Sequence, residues 1–120
     1  MALTLFGIPN CDTVKKARTW LAQSGVDHAF HDYKRLGIDA QTLSRWADAT
    51  GWDRLLNRSG TTYRKLPDAD KAGIDGPDAR SCAMAIMIAH PSTIKRPVVE
   101  GDDVLLVGFK PEDWATRFPA

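Results

Sequence analysis

The chain contains two thiols, Cys11 and Cys82, far apart in sequence, and their surroundings set them apart as well. With no third cysteine, neither a CxxC redox pair nor a cysteine-based zinc ligand set can be written. Cys82 falls on the stripe Ala79, Cys82, Ala83, Ile86, Met87, whose i, i+3, i+4, i+7 spacing is that of an amphipathic helix facing a core. It reads as a small buried hydrophobe. Cys11 follows an apolar run, Leu3 to Ile8, and the turn pair Pro9-Asn10, and it precedes a helical pattern. A helix start leaves its first N–H groups unpaired and carries about half a positive charge, so a sulfur there is stabilised as thiolate. Thiols so placed have pKa values lowered from about 8.5 into roughly 3.5 to 7.5. Cys11 is therefore the candidate nucleophile.

Counting from Cys11 excludes two familiar chemistries. A cysteine phosphatase loop wants Arg six positions beyond the nucleophile; position 17 is Ala17, and Arg18 lies one residue too far. A thioredoxin-type dithiol needs a second cysteine three positions on, where Val14 stands. What survives is a monothiol mechanism with an external resolving thiol. A thiolate or oxyanion needs cationic neighbours, and Arg offers a planar fork. Arg96, in Ile94-Lys95-Arg96-Pro97, is the first candidate, with an Arg–Pro bond suited to cis. Arg58 is the second, with Arg64 behind it. Lys15, one helical turn after Cys11, either adds charge or faces solvent. Asp12 and Thr13, immediately after the thiol, are helix-cap candidates within the same anion-binding turn.

The elements that must position these groups are legible in outline. Leu3 to Ile8 reads as a short buried strand. Val14, Ala17 and Leu21 repeat at helical spacing, with Ser24-Gly25 as the stop. His28 to Tyr33 reads as a second strand and Gly37 as a loop. A helix follows from near Asp39, with Leu43, Trp46 and Ala47 on its apolar face and Gly51 just past its end. Trp52 to Ile74 reads as small helices broken by Ser59-Gly60, Pro67 and Gly73. Gly76-Pro77-Asp78 opens the clearest helix, which ends at His90-Pro91. A hairpin, Pro97 to Glu100 and Val104 to Val107, turns through Gly101-Asp102-Asp103. Pro111-Glu112-Asp113 opens a last helix carrying Trp114 and Phe118. The natural assembly is a four-stranded mixed sheet with helices on both faces. His28 and His31, three apart on a strand, point to opposite faces and make a poor metal pair.

Composition bounds the rest. The 120 residues, 43% hydrophobic and 26% charged, suit a single domain able to bury a core without staples. Sixteen Lys+Arg against fifteen Asp+Glu leave +1, without the basic excess that a phosphate backbone attracts. Nucleic acid is not an expected partner. The longest apolar run, Ala83 to Ala89, is far short of the ~20 residues that span a bilayer, and Met1-Ala2-Leu3-Thr4 has no basic n-region. These features give the expectation of a cytoplasmic protein that neither enters a membrane nor carries a bound cofactor or metal.

Three ordered segments then carry a resemblance. Gly7-Ile8-Pro9-Asn10-Cys11-Asp12-Thr13-Val14-Lys15-Lys16-Ala17-Arg18, Asn57-Arg58-Ser59-Gly60-Thr61-Thr62-Tyr63-Arg64-Lys65-Leu66 and Ile94-Lys95-Arg96-Pro97-Val98 together resemble the ArsC/Spx family, most nearly its YffB-type branch. The resemblance covers nearly the whole chain. It implies a thioredoxin-like fold with a helical insert at about 39–90, Cys11 as nucleophile, and Arg96 as oxyanion-binding Arg beside a cis proline. The family's arsenate reductases use three arginines. Here Asn57 stands at the aligned position of the second, with Arg58 one residue along, and Lys110 stands for the third. Lys keeps the charge and loses bidentate geometry. The resemblance therefore implies a monothiol reductase, described for this branch as glutathione-dependent. Its Cys11 thiolate attacks an oxyanion or a mixed disulfide, and glutathione or glutaredoxin releases the adduct. The alternative it implies is an Spx-like regulator docking on RNA polymerase, although Val14 removes the CxxC switch. A catalytically idle structural member is the third reading.

Overall fold

The computed structural model describes residues 3–102 and 104–118. Its elements, in chain order, are β1 (Thr4–Gly7), α1 (Asp12–Gln23), β2 (Ala29–Asp32), α2 (Tyr33–Leu36), α3 (Ala40–Thr50), α4 (Trp52–Leu55), α5 (Thr61–Arg64), α6 (Asp68–Lys71), α7 (Ala79–Ala89), a 3₁₀ turn (Pro91–Thr93), β3 (Val98–Glu100), β4 (Leu105–Val107) and α8 (Pro111–Arg117). The four strands form one sheet in the order β2-β1-β3-β4. β1 runs parallel to β2 and antiparallel to β3, and β4 closes an antiparallel hairpin with β3. This is the expected mixed four-stranded sheet with helices. The chain clusters into two compact units, one formed by the segments up to Leu36 and from Arg96 onward, the other by Gly37–Lys95.

In the first unit the core is one cluster. Leu3 and Leu5 from the β1 side, Val99 of β3, Val104, Trp114 of α8 and the α1 stripe Val14, Ala17, Leu21 are all buried together. The three α1 residues are fully inaccessible. Each buried Val or Leu contributes about 1.5–3 kcal/mol, whereas an isolated 12-residue helix is marginal, so this stripe rather than propensity holds α1 on the sheet. Trp114 stacks edge-on against Phe109 (4.8 Å) and Trp20 (5.8 Å), and its indole N–H donates to the Gly108 carbonyl (3.2 Å).

Three local readings are corrected. β2 ends at Asp32 and Tyr33 begins a helical turn, because the Asp32 carboxylate accepts from the backbone N–H groups of Lys34 and Arg35 and bends the chain. Cys11, rather than Asp12 or Thr13, is the N-cap of α1. Cys82 is half-buried at the edge of the α7 stripe, its thiol donating to the Asp70 carbonyl (3.5 Å), so it is not a core residue like Ala83, Ile86 and Met87. The hairpin turn is tied by Gly101 N–H to the Val104 carbonyl (2.9 Å); Asp103, assigned to that turn, lies outside the described residues.

In the second unit Asp39 caps α3, its carboxylate accepting from Thr42 N–H at 2.7 Å, and Gly51 ends that helix at φ +93°, where a side chain would be strained. α3, α4 and α7 pack on one another, with Leu43, Trp46, Leu55 and Met87 fully buried. The C-terminal end of the unit is stitched to the segment after α4 by Asn57 N–H to the Thr93 carbonyl (2.7 Å) and Lys95 N–H to the Leu55 carbonyl (2.6 Å). The small helices expected between Trp52 and Ile74 are α4, α5 and α6. Among the described residues no helix is long and apolar enough to cross a membrane.

The close approach of β1 to α1 demands glycine at position 7: a Cβ there would lie 2.8 Å from Val14 Cγ2. Gly7→Ala is expected to destabilise the protein by about 1–3 kcal/mol through overpacking. In thermal or denaturant unfolding, Val14→Ala should recover part of that loss in the double variant; simple additivity would refute the contact.

Candidate functional site

The site is assembled by sheet topology. Gly7 pairs with Asp32 in the parallel β1–β2 ladder, so Tyr33 emerges at the same end of the sheet as the turn leading to Cys11. Phe6 pairs with Val98 in the antiparallel β1–β3 ladder, so Arg96-Pro97, just ahead of β3, reaches that end from the third strand. The Arg96–Pro97 bond is cis, as the sequence suggested.

Cys11 has extended backbone (φ −101°, ψ 124°), and its carbonyl accepts the first helical hydrogen bond, from Lys15 N–H at 3.0 Å. The side chain is half-buried, its body packed against the core cluster. It makes no close capping hydrogen bond, but the N–H groups of Val14 and Thr13 and the guanidinium of Arg96 lie near enough to favour the thiolate. Partial burial pushes the thiol up. The Val14 N–H, the Arg96 side chain, the Thr13 N–H and the Arg96 charge together outweigh it, and the thiol sits below its ordinary value. Because the thiol ionises more readily folded than unfolded, this interaction stabilises the fold above the ordinary thiol pKa. The contribution is lost as pH falls through the lowered value.

Tyr33 is the member that sequence reasoning missed. Read as the last residue of a strand, it is instead fully buried at the head of α2. Burial pushes its phenol well above the usual range; the Arg96 charge and a hydrogen bond with the Arg96 side chain oppose this, and the Cys11 charge adds to it. The hydroxyl therefore stays protonated and helps to hold the guanidinium facing Cys11. No motif announces this role. The only signal in the sequence is an aromatic residue just after the strand that pairs with β1.

The remaining candidates are distributed as follows. Thr13 contributes its backbone N–H. Asp12 is an exposed acid in the first turn of α1, favourable at a helix N-terminus. Lys15 is exposed on α1, and Lys110 is the exposed N-cap of α8. Arg58 belongs to the second unit, on the turn after α4, where its guanidinium lies 3.7 Å from Asp75 in an exposed pair worth little. Asn57 sits in the same turn and accepts from the Ser59 hydroxyl (3.0 Å). Arg64, in α5, lines a shallow exposed surface with Thr61 and Lys65. His31 packs its ring against Phe6 (4.9 Å), and His28 accepts from Arg18.

A thiol at a helix start, facing a guanidinium beside a cis proline on a four-stranded mixed sheet, belongs to a thioredoxin-like fold. The chain matches the ArsC family over residues 6–117 and belongs to that family. Among solved structures, that of the protein YffB is 50% identical, covers 98% of this chain and 99% of its own, and superposes with a TM-score of 0.90. An arsenate reductase-related protein from Brucella melitensis is 48% identical, covering 100% and 97%, with a TM-score of 0.74. The global transcriptional regulator Spx of Staphylococcus epidermidis is 28% identical, covering 97% of this chain and 86% of its own.

With iodoacetamide, Cys11 is expected to react at pH 7 much faster than Cys82. Arg96→Ala should move the midpoint of its pH–rate profile upward, toward the ordinary thiol value of about 8.5. Tyr33→Phe should move it in the same direction by less. A profile unmoved by Arg96→Ala would exclude the guanidinium as a thiolate partner.

Proposed function

We propose that the protein is a glutathione-dependent monothiol reductase acting on mixed disulfides, with Cys11 as nucleophile. The observation that carries this reading is the pairing of one helix-start thiol with one guanidinium, Arg96, in the first unit. That arrangement supplies what thiol–disulfide exchange needs: an ionised sulfur and a cation to steady it in attack and departure. The Cys11 thiolate attacks one sulfur of a disulfide between glutathione and a second thiol. A bond forms from Cys11 to the glutathione sulfur, and the second thiol leaves with the electron pair and takes a proton from solvent. A further glutathione, as thiolate, attacks the Cys11 adduct, forms oxidised glutathione and returns Cys11 as thiolate. The net change turns one mixed disulfide and one glutathione into the free second thiol and oxidised glutathione, half of which comes from the substrate itself, and no second protein cysteine is needed. The identity of residue 14 supports this: Val14, three positions beyond Cys11, carries no thiol to resolve the adduct, so release falls to an external thiol.

Arsenate, the other substrate class implied by the family, would draw on a cluster of bidentate cations. Lys110 in place of Arg lacks the fork, and Arg58 stands beside Asp75, so reduction of the oxyanion is expected to be the weaker activity. Glutaredoxin is the alternative releasing partner. The likeness to Spx keeps a second reading in view, a regulator that docks on RNA polymerase.

Incubation with oxidised glutathione followed by intact mass measurement tests the proposal. One glutathione adduct is expected, absent in Cys11→Ser and removed by added glutathione. Its absence in the unaltered protein, together with co-purification of polymerase, would transfer support to the Spx-like reading.

A further inference from the structure

Cys11 stands at the head of a stripe along α1. Residues 11, 15, 18, 19 and 22 follow the i, i+4, i+7, i+8, i+11 spacing of one helix face. One turn beyond the sulfur, Lys15, Arg18, Thr19 and Ala22 line a shallow, open groove of about 370 Å³ together with His28. Neither the thiol chemistry nor the core accounts for this groove.

Its central residue is held in place. The Arg18 guanidinium carbon lies 4.5 Å from the centroid of the Phe30 ring, and Phe30 itself packs against the core cluster. Arg18 Nε donates a long hydrogen bond to His28 Nε2 (3.4 Å). With Nε so engaged, the two terminal amino groups of the fork remain for another acceptor. Arg58 and Arg80 each stand beside a carboxylate, whereas among the described residues neither Arg18 nor Lys15 is ion-paired with one. A guanidinium stacked on a ring, oriented through Nε and without an acidic partner is arranged to receive an anion bidentately.

Position selects the anion. At 1.5 Å per residue, Lys15 lies about 6 Å and Arg18 about 10 Å along the axis from Cys11. Helical side chains lean toward the N-terminus, so Lys15 reaches back toward the sulfur. A tripeptide thiol carries its carboxylates roughly 7–10 Å from its sulfur, taking about 3.5 Å per extended residue. We propose that this groove is the carboxylate subsite for glutathione, with Arg18 gripping one carboxylate of the tripeptide joined to Cys11 and Lys15 adding positive charge between them. This inference rests on the reading of Cys11 as a glutathione-exchanging thiol. The groove takes no part in bond making. In the exchange itself the Cys11–sulfur bond forms as the disulfide of oxidised glutathione breaks, and the departing glutathione leaves as thiolate.

The test compares two disulfides of opposite character. Rates of adduct formation at Cys11 are measured with oxidised glutathione and with uncharged bis(2-hydroxyethyl) disulfide, in the unaltered protein, Arg18→Gln and Arg18→Lys. Arg18→Gln is expected to slow the glutathione reaction about fivefold, in keeping with a charge contact at a partly exposed site, and to leave the uncharged disulfide and iodoacetamide rates unaltered. Arg18→Lys should fall between, and added salt should slow only the glutathione reaction. Equal slowing with both disulfides, or no slowing with glutathione, overturns the groove as a subsite. Where Cys11 still reacts with the uncharged disulfide, the thiol-reductase reading survives that failure; reaction with neither disulfide removes both.

Discussion

The proposed chemistry depends on a contest at one sulfur. Packing against the core raises the cost of charging Cys11, and two backbone amides with one guanidinium lower it by more. If burial prevailed, the thiol would be an inert hydrophobe of the kind common in protein interiors. If the site were fully open, water would dilute the amide and guanidinium contributions. Half-burial at a helix start combines access for a reactant with a local dielectric low enough for these few groups to count.

The balance is kept by elements that meet at one end of the sheet. The parallel partner of β1 delivers Tyr33 and the antiparallel partner delivers Arg96, while β1 itself runs into the turn before α1. Gly7 lets that turn sit close over Val14, and Val14 supplies both a core side chain and one of the amides facing the sulfur. The same residue thus anchors the helix and favours the thiolate. A protonated Tyr33 hydroxyl, buried beside Arg96, gives the guanidinium a neutral partner that does not spend its charge. A carboxylate in that place would have quenched the field at the sulfur.

Charge placement also bears on the choice of reactant. The first unit concentrates one cation at the thiol and sets Lys15 and Arg18 along α1, away from the bond-making atoms. A compact tetrahedral oxyanion profits from several forks around one point; a thiol tripeptide profits from charge spread along its length. The distribution in this unit is of the second kind. Lys15 and Arg18 are also ordinary components of a solvated helix face, which is how helical periodicity presents them. Their setting changes only when the ring of Phe30 and the imidazole of His28, supplied by the neighbouring strand, are brought beside them.

Much of the architecture was written locally. The apolar run of β1, the α1 stripe, the Asp39 cap, the Gly51 stop and the His90-Pro91 boundary are short-range patterns, and short-range physics reads them. Cys11 and Arg96 were legible because helix starts and Arg–Pro steps are visible in one dimension, as were the three segments that resemble the ArsC family. What only the tertiary structure decided arises from contacts between residues distant in sequence or from competition between two local options. The Asp32 carboxylate draws Tyr33 out of the strand, the sheet order carries it beside Arg96, and the edge of α7 leaves Cys82 half-buried against Asp70. Periodicity tells which face of an element is apolar. It carries no information about which neighbour a buried hydroxyl or an exposed guanidinium will meet, because that depends on strand order and register.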